Sequence, residues 1–167
     1  PEGVARVPAE SVVDVPVTEL PAGATTLRVT ADRPVVAAVR TVVDDGTADA
    51  MWAVSQTAVT GVAGAALPAD EEVSRRLVVS ASGGDAVVEV VEVAAGTATG
   101  NEVRVPAGGT VVLAASGDGI WIRQVSGSGS VTGAVVSVGT GEAAEVSAMP
   151  LTEPPVSGRR SEVVALP

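Results

Sequence analysis

Apolar residues alternate with polar or small residues in short runs along most of this chain, and turn residues separate the runs. A period of two is typical of β-strands that bury one face, and the abundant Val suits a pleated surface. The stretch 57–70 is rich in Ala, Gly and Thr and has no clear period, so it is predicted as a loop or linker, with a short helical turn over 68–72 as a further possibility. Strands are predicted over residues 3–7, 11–17, 25–30, 35–43, 50–55, 77–81, 86–93, 103–105, 110–115, 120–125, 131–138, 144–149 and 162–166.

Two hairpins are predicted from the turn residues. The Asp-Gly step in DDGTAD lies between apolar runs, which is a strong hairpin signal, so residues 35–43 should pair with residues 50–55. The turn SGGD, residues 82–85, should join the strand 77–81 to the strand 86–93 in a second hairpin. In the second of these strands Glu89 and Glu92 have opposite parity, so a regular strand would bury one of them. We expect a β-bulge between the two residues to turn both side chains outward.

Several segments of the first part of the chain have a similar counterpart later on. The spacing is about 95 residues and shortens to 84 for the last pair, from residue 75 to residue 159. A period near 95 is too long for a solenoid repeat and suits a small β-domain of roughly seven strands. The matching pairs are RVPAESVV (6–13) with RVPAGGTVV (104–112), PVVAAVRTV (34–42) with SVTGAVVSV (130–138), the Ala-Met steps that begin at residues 50 and 148, and SRRLVVSA (74–81) with GRRSEVVALP (158–167).

These similarities predict an all-β fold of two tandem antiparallel β-sandwiches, immunoglobulin-like or jelly-roll-like, related by an internal repeat. We place the first repeat in residues 1–72 and the second in residues 73–167. The first repeat begins partway through its motif, so we expect residues upstream of Pro1, or residues borrowed from the neighbouring repeat, to complete it.

The two copies also predict where one aromatic side chain points. Aligning them places residues 27–29 (LRV) opposite residues 120–122 (IWI), so the flanking apolar residues share the core face and Trp121 faces outward, where the first copy has Arg28. The alternative is a repeat misaligned by one residue, with Trp121 in the core. Trp121, Arg123 and Arg28 are therefore the candidate contact residues for a ligand or partner. Bulky residues are scarce in this chain, so Trp52 is predicted to lie in the core.

Composition excludes several classes of chemistry. The chain has no His and no Cys, so it has no Ser-His-Asp or Cys-His arrangement, no zinc-thiolate site and no disulfide. A net charge of −10 argues against nucleic acid as a partner, because binding of the phosphate backbone depends on clustered basic residues. No run of roughly 18 uninterrupted apolar residues occurs, so we expect no membrane insertion by this segment.

Two acidic clusters are candidate sites. Asp44, Asp45 and Asp49 provide the oxygen ligands that Ca²⁺ prefers, although the spacing departs from an EF-hand and a solvated hairpin turn is the alternative. The run 70–72 (DEE) beside Arg75 and Arg76 could supply paired carboxylates for a glycan-processing enzyme, although adjacent carboxylates in a polar run are far more often a solvated face. The glycine-rich pieces lack the Lys of a phosphate-binding loop. We predict no catalytic residue and no cofactor.

Residues 7–42, VPAESVVDVPVTELPAGATTLRVTADRPVVAAVRTV, resemble a family of actinobacterial envelope-associated proteins of unknown function. Members of that family are exported chains rich in Val and Ala, usually behind an N-terminal membrane anchor. The resemblance implies a location outside the cytoplasm, in a bacterium with a GC-rich genome, and it implies no activity. The scarcity of residues with AT-rich codons, with no Lys, Phe or Tyr, agrees with such a genome.

Three functions remain open from the sequence. The first is a non-enzymatic extracytoplasmic β-domain that scaffolds or contacts another component of the cell envelope. The second is a carbohydrate-binding module that uses Trp121 on an exposed sheet face, with a cell-wall glycan as its partner. The third is a glycan-processing enzyme that uses the paired acids of residues 70–72.

Overall fold

The computed structural model of this protein describes residues 4–18, 20, 23, 25–43, 49–70, 72–140 and 145–154. These residues contain ten β-strands and no helix, and every strand pair is antiparallel, which confirms the prediction of an all-β fold. The strands are β1 Ala38–Val43, β2 Asp49–Val54, β3 Val62–Ala66, β4 Val73–Ser82, β5 Ala86–Ala94, β6 Thr97–Val105, β7 Thr110–Ala114, β8 Gly119–Gly127, β9 Ser130–Gly139 and β10 Val146–Pro150.

Eight of these strands form two four-stranded sheets. One, the β8 sheet, has the order β3-β8-β5-β6, and the other, the β4 sheet, has the order β10-β9-β4-β7. Strands β1 and β2 form a separate two-stranded sheet, which we call the β1–β2 hairpin. The chain crosses from β6 in the first sheet to β7 in the second through PAGG, where Gly108 N donates to Ala81 O at 2.9 Å. The arrangement is consistent with a β-sandwich.

One apolar core lies between the β8 sheet and the β4 sheet. It is built from the alternate side chains that the strands turn inward, as the period of two predicts. Because Phe and Tyr are absent, branched aliphatic residues fill the space, and full burial of such a side chain stabilises the fold by about 1.5–3 kcal/mol. The largest fully buried side chains are Leu77, Val79, Val88, Val105, Ile120, Ile122, Val131 and Val135.

The predicted hairpins have different outcomes. Residues 38–43 and 49–54 do form the β1–β2 hairpin, with Thr41 opposite Met51, so that prediction is confirmed. The prediction of a hairpin around SGGD is wrong, because β4 and β5 lie in different sheets. Both strands carry apolar residues on their inward faces, and these faces meet across the core rather than edge to edge.

The predicted bulge in β5 is also misplaced. The register shift lies between Val87 and Val88 rather than between the two glutamates. Glu92 lies on the parity of the core face, and it is tolerated there because it is near the end of the strand. Its Oε1 atom accepts a hydrogen bond from Ser116 N at 3.0 Å, which satisfies the carboxylate at the edge of the sandwich.

Several strand predictions fail in the first third of the chain. Residues 11–17 and 25–30 form no strand and are mostly exposed. Conversely, β3 lies inside the predicted loop, and only the end of β6 was predicted. Both missed strands are sheet edges rich in Ala, Gly and Thr, so backbone pairing forms them without a clear side-chain pattern. The predicted strand 162–166 lies outside the described residues.

Strands from both sides of the predicted repeat boundary share one sheet. β3 precedes residue 72 and pairs with β8, which follows it. The N-terminal segment is also attached to the β4 sheet, because Thr26, Ser80 and Thr110 join their hydroxyl groups in a hydrogen-bonded cluster. The division into domains at 1–72 and 73–167 stays a prediction. Across the described ranges we find no helix that is long and apolar enough to cross a lipid bilayer.

Candidate functional site

Trp121 lies on the outer face of the β8 sheet. Its neighbours Ile120 and Ile122 are 0% and 1% exposed in the core, whereas Trp121 is half-buried on the opposite face. The outward orientation predicted from the aligned copies is therefore confirmed, and the alternative with Trp121 in the core is wrong. Strict alternation along β8 is the physical reason.

The indole ring of Trp121 rests on a glycine of the neighbouring strand. Trp121 is directly opposite Gly64 on β3. A Cβ atom at Gly64 would overlap the indole ring and would lie 2.7 Å from the carbonyl oxygen of Ile120. Any larger residue would displace the ring or the strand, so the glycine in the unpatterned stretch 57–70 serves the packing of this tryptophan.

Beside the ring lies an open cleft of about 550 Å³, which we call the Trp121 cleft. Its lining is mainly apolar and includes Met149, Pro150 and Pro154. The cleft forms because the chain after β10 leaves the β4 sheet and runs along β3 of the other sheet. There Gly64 N donates to Thr152 O at 2.9 Å, and Thr152 N donates to Gly64 O at 3.2 Å.

Glu153 fastens this crossing, and sequence reasoning missed it. Its Oε1 atom accepts hydrogen bonds from Thr60 N at 2.5 Å and from Gly61 N at 2.8 Å, and the Thr60 hydroxyl donates to the same carboxylate. These donors stabilise the charged form, chiefly the backbone amide of Thr60, and lower the pKa of the Glu153 carboxyl below its ordinary value. No local sequence signal joins residues so far apart in the chain. We call Thr152, Glu153 and their partners on residues 60–64 the β3 clasp.

The two candidate arginines lie apart. Arg123 is on the same outer face as Trp121, and its Nη2 atom lies 2.7 Å from Glu89 Oε2 in an ion pair. Both side chains are partly exposed to water, so the pair contributes only about 0–1 kcal/mol. Arg28 is exposed and lies two residues from Thr26, whose hydroxyl is bonded to the β4 sheet. The structure therefore brings Arg123, but not Arg28, to the sheet of Trp121.

The proposed calcium ligands are only partly described, since Asp44 and Asp45 lie outside the described residues. Asp49 is bonded to backbone amides through both carboxylate oxygens. Oδ1 accepts from Ala50 N at 2.7 Å, and Oδ2 accepts from Val146 N at 2.8 Å. Within the described ranges no three acidic side chains are grouped as a metal site requires. Asp49 instead connects the β1–β2 hairpin to β10, and calcium binding stays a prediction.

The acidic run before β4 lies at the surface. Asp70 Oδ1 accepts a hydrogen bond from Glu72 N at 3.0 Å, and both side chains are exposed. Glu71 lies outside the described residues. The two arginines that follow are part of β4. These described carboxylates have the surroundings of a solvated turn.

Trp52 is not a core residue, which corrects the prediction. It is 60% exposed on β2 and stands opposite Arg40. In the β1–β2 hairpin the outward parity includes residue 52, and no second sheet among the described residues covers that face. The core does not need the bulk of Trp52, because aliphatic side chains fill it.

Comparisons with known proteins give one result. A family model, described as a family of unknown function (DUF5719), matches residues 1–116, which is more than half of the chain. Comparisons with curated proteins and with solved structures give no match.

Proposed function

The chain belongs to the DUF5719 family, and from that membership and its surface we propose that it is a non-enzymatic interaction module that contacts another component of the cell envelope. The observation that carries the proposal is the distribution of exposed apolar side chains. Most of the large ones among the described residues lie between Val4 and Val54, and Val12 and Val36 are 92% and 98% exposed. Exposed apolar side chains concentrated in one part of the chain support a role in contacting a partner.

The module is proposed as non-enzymatic because its described surface offers no enclosed polar site. The Trp121 cleft is open and mainly apolar, and the described acids at residues 70 and 72 face water. Among the described carboxylates, the one whose pKa is lowered, Glu153, accepts hydrogen bonds from the backbone amides of the β3 clasp. The extracytoplasmic location rests on the resemblance of residues 7–42 to exported actinobacterial proteins.

Site-specific photo-crosslinking in intact cells tests this proposal. A photoreactive amino acid replaces Val12, Val36 or, as the matched control on an exposed strand of the β8 sheet, Thr99. We expect adducts of discrete mass at Val12 and Val36, recovered in the envelope fraction, and only background at Thr99. Equal crosslinking at the three positions, or recovery of the protein in the cytoplasmic fraction, would reject the proposal.

A carbohydrate-binding module is the second candidate, and the position of Trp121 in an open cleft favours it. An aromatic ring beside polar groups can stack on a sugar, and Thr152 and Glu153 line the same cleft. One side of the ring is already seated on Gly64, which leaves less area for stacking than a fully exposed ring would offer.

A glycan array with the intact chain distinguishes the two candidates. If the second candidate is right, binding of a cell-wall glycan is retained in the variant Trp52→Ala and lost in Trp121→Ala. Binding that survives Trp121→Ala, or no glycan binding at all, removes this mechanism and leaves the interaction module.

A further inference from the structure

The outward face of the β1–β2 hairpin is apolar and exposed to water. Side chains alternate between the two faces of a strand, so Thr41 and Met51 lie on the half-buried side, whereas Val42, Trp52 and Val54 are 51%, 60% and 56% exposed on the other side. Within the described part of the chain no second sheet covers this outward side. We call it the Trp52 face, and its side chains are those of Ala38, Arg40, Val42, Ala50, Trp52 and Val54.

Two attachments hold the Trp52 face in a fixed position. Asp49 Oδ2 accepts a hydrogen bond from Val146 N at 2.8 Å, which fastens the start of β2 to β10. At the other end of the hairpin Ser55 N donates to Ala37 O at 3.2 Å, so the pairing continues beyond the two strands. Because the face is built on paired strands rather than on a loop, a contact through it costs little conformational entropy.

Each cross-strand row of the Trp52 face joins two side chains of different size. The rows are Ala38 with Val54, Arg40 with Trp52, and Val42 with Ala50. The outer two rows therefore place a valine beside an alanine. The middle row places an indole ring beside a guanidinium group, and a guanidinium group is attracted to the face of an indole ring. The face thus carries, row by row, both members of a complementary pair.

We propose that two copies of this protein associate through their Trp52 faces, with a two-fold axis that runs parallel to the strands above the midline between β1 and β2. This symmetry places β1 of one copy over β2 of the other. Each valine of the face then meets an alanine of the second copy, and the ring of Trp52 stacks on Arg40 of the second copy. Large side chains meet small ones in the outer rows, so the two layers can interdigitate. The contact is isologous, so it closes at a dimer.

The charge of the chain and the size of the face set the strength of this dimer. Each copy carries a net charge of −10, so the copies repel one another, and salt screens that repulsion. The Trp52 face itself contains no acidic side chain. Two hairpin faces bury less than about 1,200 Å² in total, which is typical of weak, reversible contacts. Dimerisation goes beyond contact with an envelope component, and its test in purified protein does not depend on that contact.

Sedimentation of the purified full chain in about 0.5 M NaCl tests the proposal. We expect the average mass to rise with protein concentration from one chain toward two. Trp52→Ala should raise the Kd of the dimer by about tenfold or more, because each dimer loses two ring–guanidinium contacts. Val125→Ala shortens a side chain that is 47% exposed on β8, and as the control it should leave the Kd unchanged.

Exchanging the two residues of one row tests the symmetry of the contact. Ala38→Val alone brings valine against valine, so it should weaken the dimer several-fold although it adds apolar surface. Ala38→Val combined with Val54→Ala again places a large residue against a small one and should restore the natural Kd. Both positions are exposed, so these variants should fold. A natural chain that stays monomeric, tighter association in Ala38→Val, or no recovery in the double variant overturns the proposal.

Discussion

Two regions with similar sequences, residues 6–54 and residues 104–150, adopt different structures. In the later region nearly every apolar run is a strand of the sandwich, and its alternate residues are buried. Among the described residues of the earlier region, only the β1–β2 hairpin forms, and the described runs before it are exposed and irregular. Val29 and Ile122 are paired in the alignment that the predicted repeat gives, yet Val29 is 61% exposed and Ile122 is 1% exposed.

The difference shows that the period of two does not by itself make a strand. The later region has β4 and β5 to pair with, one in each sheet, and these two strands supply the opposing faces of the core. The earlier region has no equivalent of them among the described residues. Strand formation in this chain therefore depends on distant partners more than on the local pattern.

Truncating aligned residues in the two regions should produce the largest difference in the free energy of unfolding. Ile122→Ala removes three carbon atoms from the buried core, so we expect the free energy of unfolding to fall by about 2–5 kcal/mol. Val29→Ala, its matched counterpart, removes exposed carbon atoms and should change the free energy of unfolding by no more than about 0.5 kcal/mol. Urea denaturation of both variants gives the two values. Similar losses would show that residue 29 is packed as tightly as residue 122.

A smaller effect is expected where the two regions touch. Ser80→Ala removes the hydroxyl that joins Thr26 to Thr110, so we expect a loss of about 1 kcal/mol and a looser N-terminal segment. Trypsin cleaves at Arg, and the cut after Arg28 should become several-fold faster. Ser82→Ala, on the same strand, is the control. If both variants are cut after Arg28 at the natural rate, the hydroxyl cluster does not hold the segment.

The smallest effect concerns the β3 clasp and depends on pH. The folded-state pKa of Glu153 lies below the ordinary value of 4.5, so the stabilisation that the charged carboxylate provides is complete above that pH and is lost as the pH falls through the folded-state pKa. Glu153→Gln should therefore lower Tm most above pH 5, by about a degree or two, and should match the natural protein in stronger acid. Glu145→Gln is the exposed control. A Tm difference that does not vary with pH would show that the charge of Glu153 plays no part in the clasp.

The sequence predicted those parts of the structure that depend on parity and turn chemistry. The outward position of Trp121 between two buried isoleucines and the β1–β2 hairpin both follow from local rules. β3 could not be predicted, because an Ala-Gly edge strand has no side-chain signal and exists through its pairing with β8. The β3 clasp could not be predicted either, since Glu153 and Thr60 meet only after the chain has crossed between sheets. For the same reason, no local rule separates β4 and β5 into opposite sheets.

The β3 clasp has a consequence for aggregation. β3 is a short edge strand beside an apolar cleft, and such an edge is a site where misfolded copies stack. The backbone of Thr152 forms hydrogen bonds with the N–H and C=O groups of Gly64, and Glu153 accepts hydrogen bonds from the amides just before the strand. When Glu153 takes up a proton in acid, its hydrogen bonds to these amides weaken. We therefore expect aggregation through the β3 edge to increase as the pH falls through the folded-state pKa of Glu153.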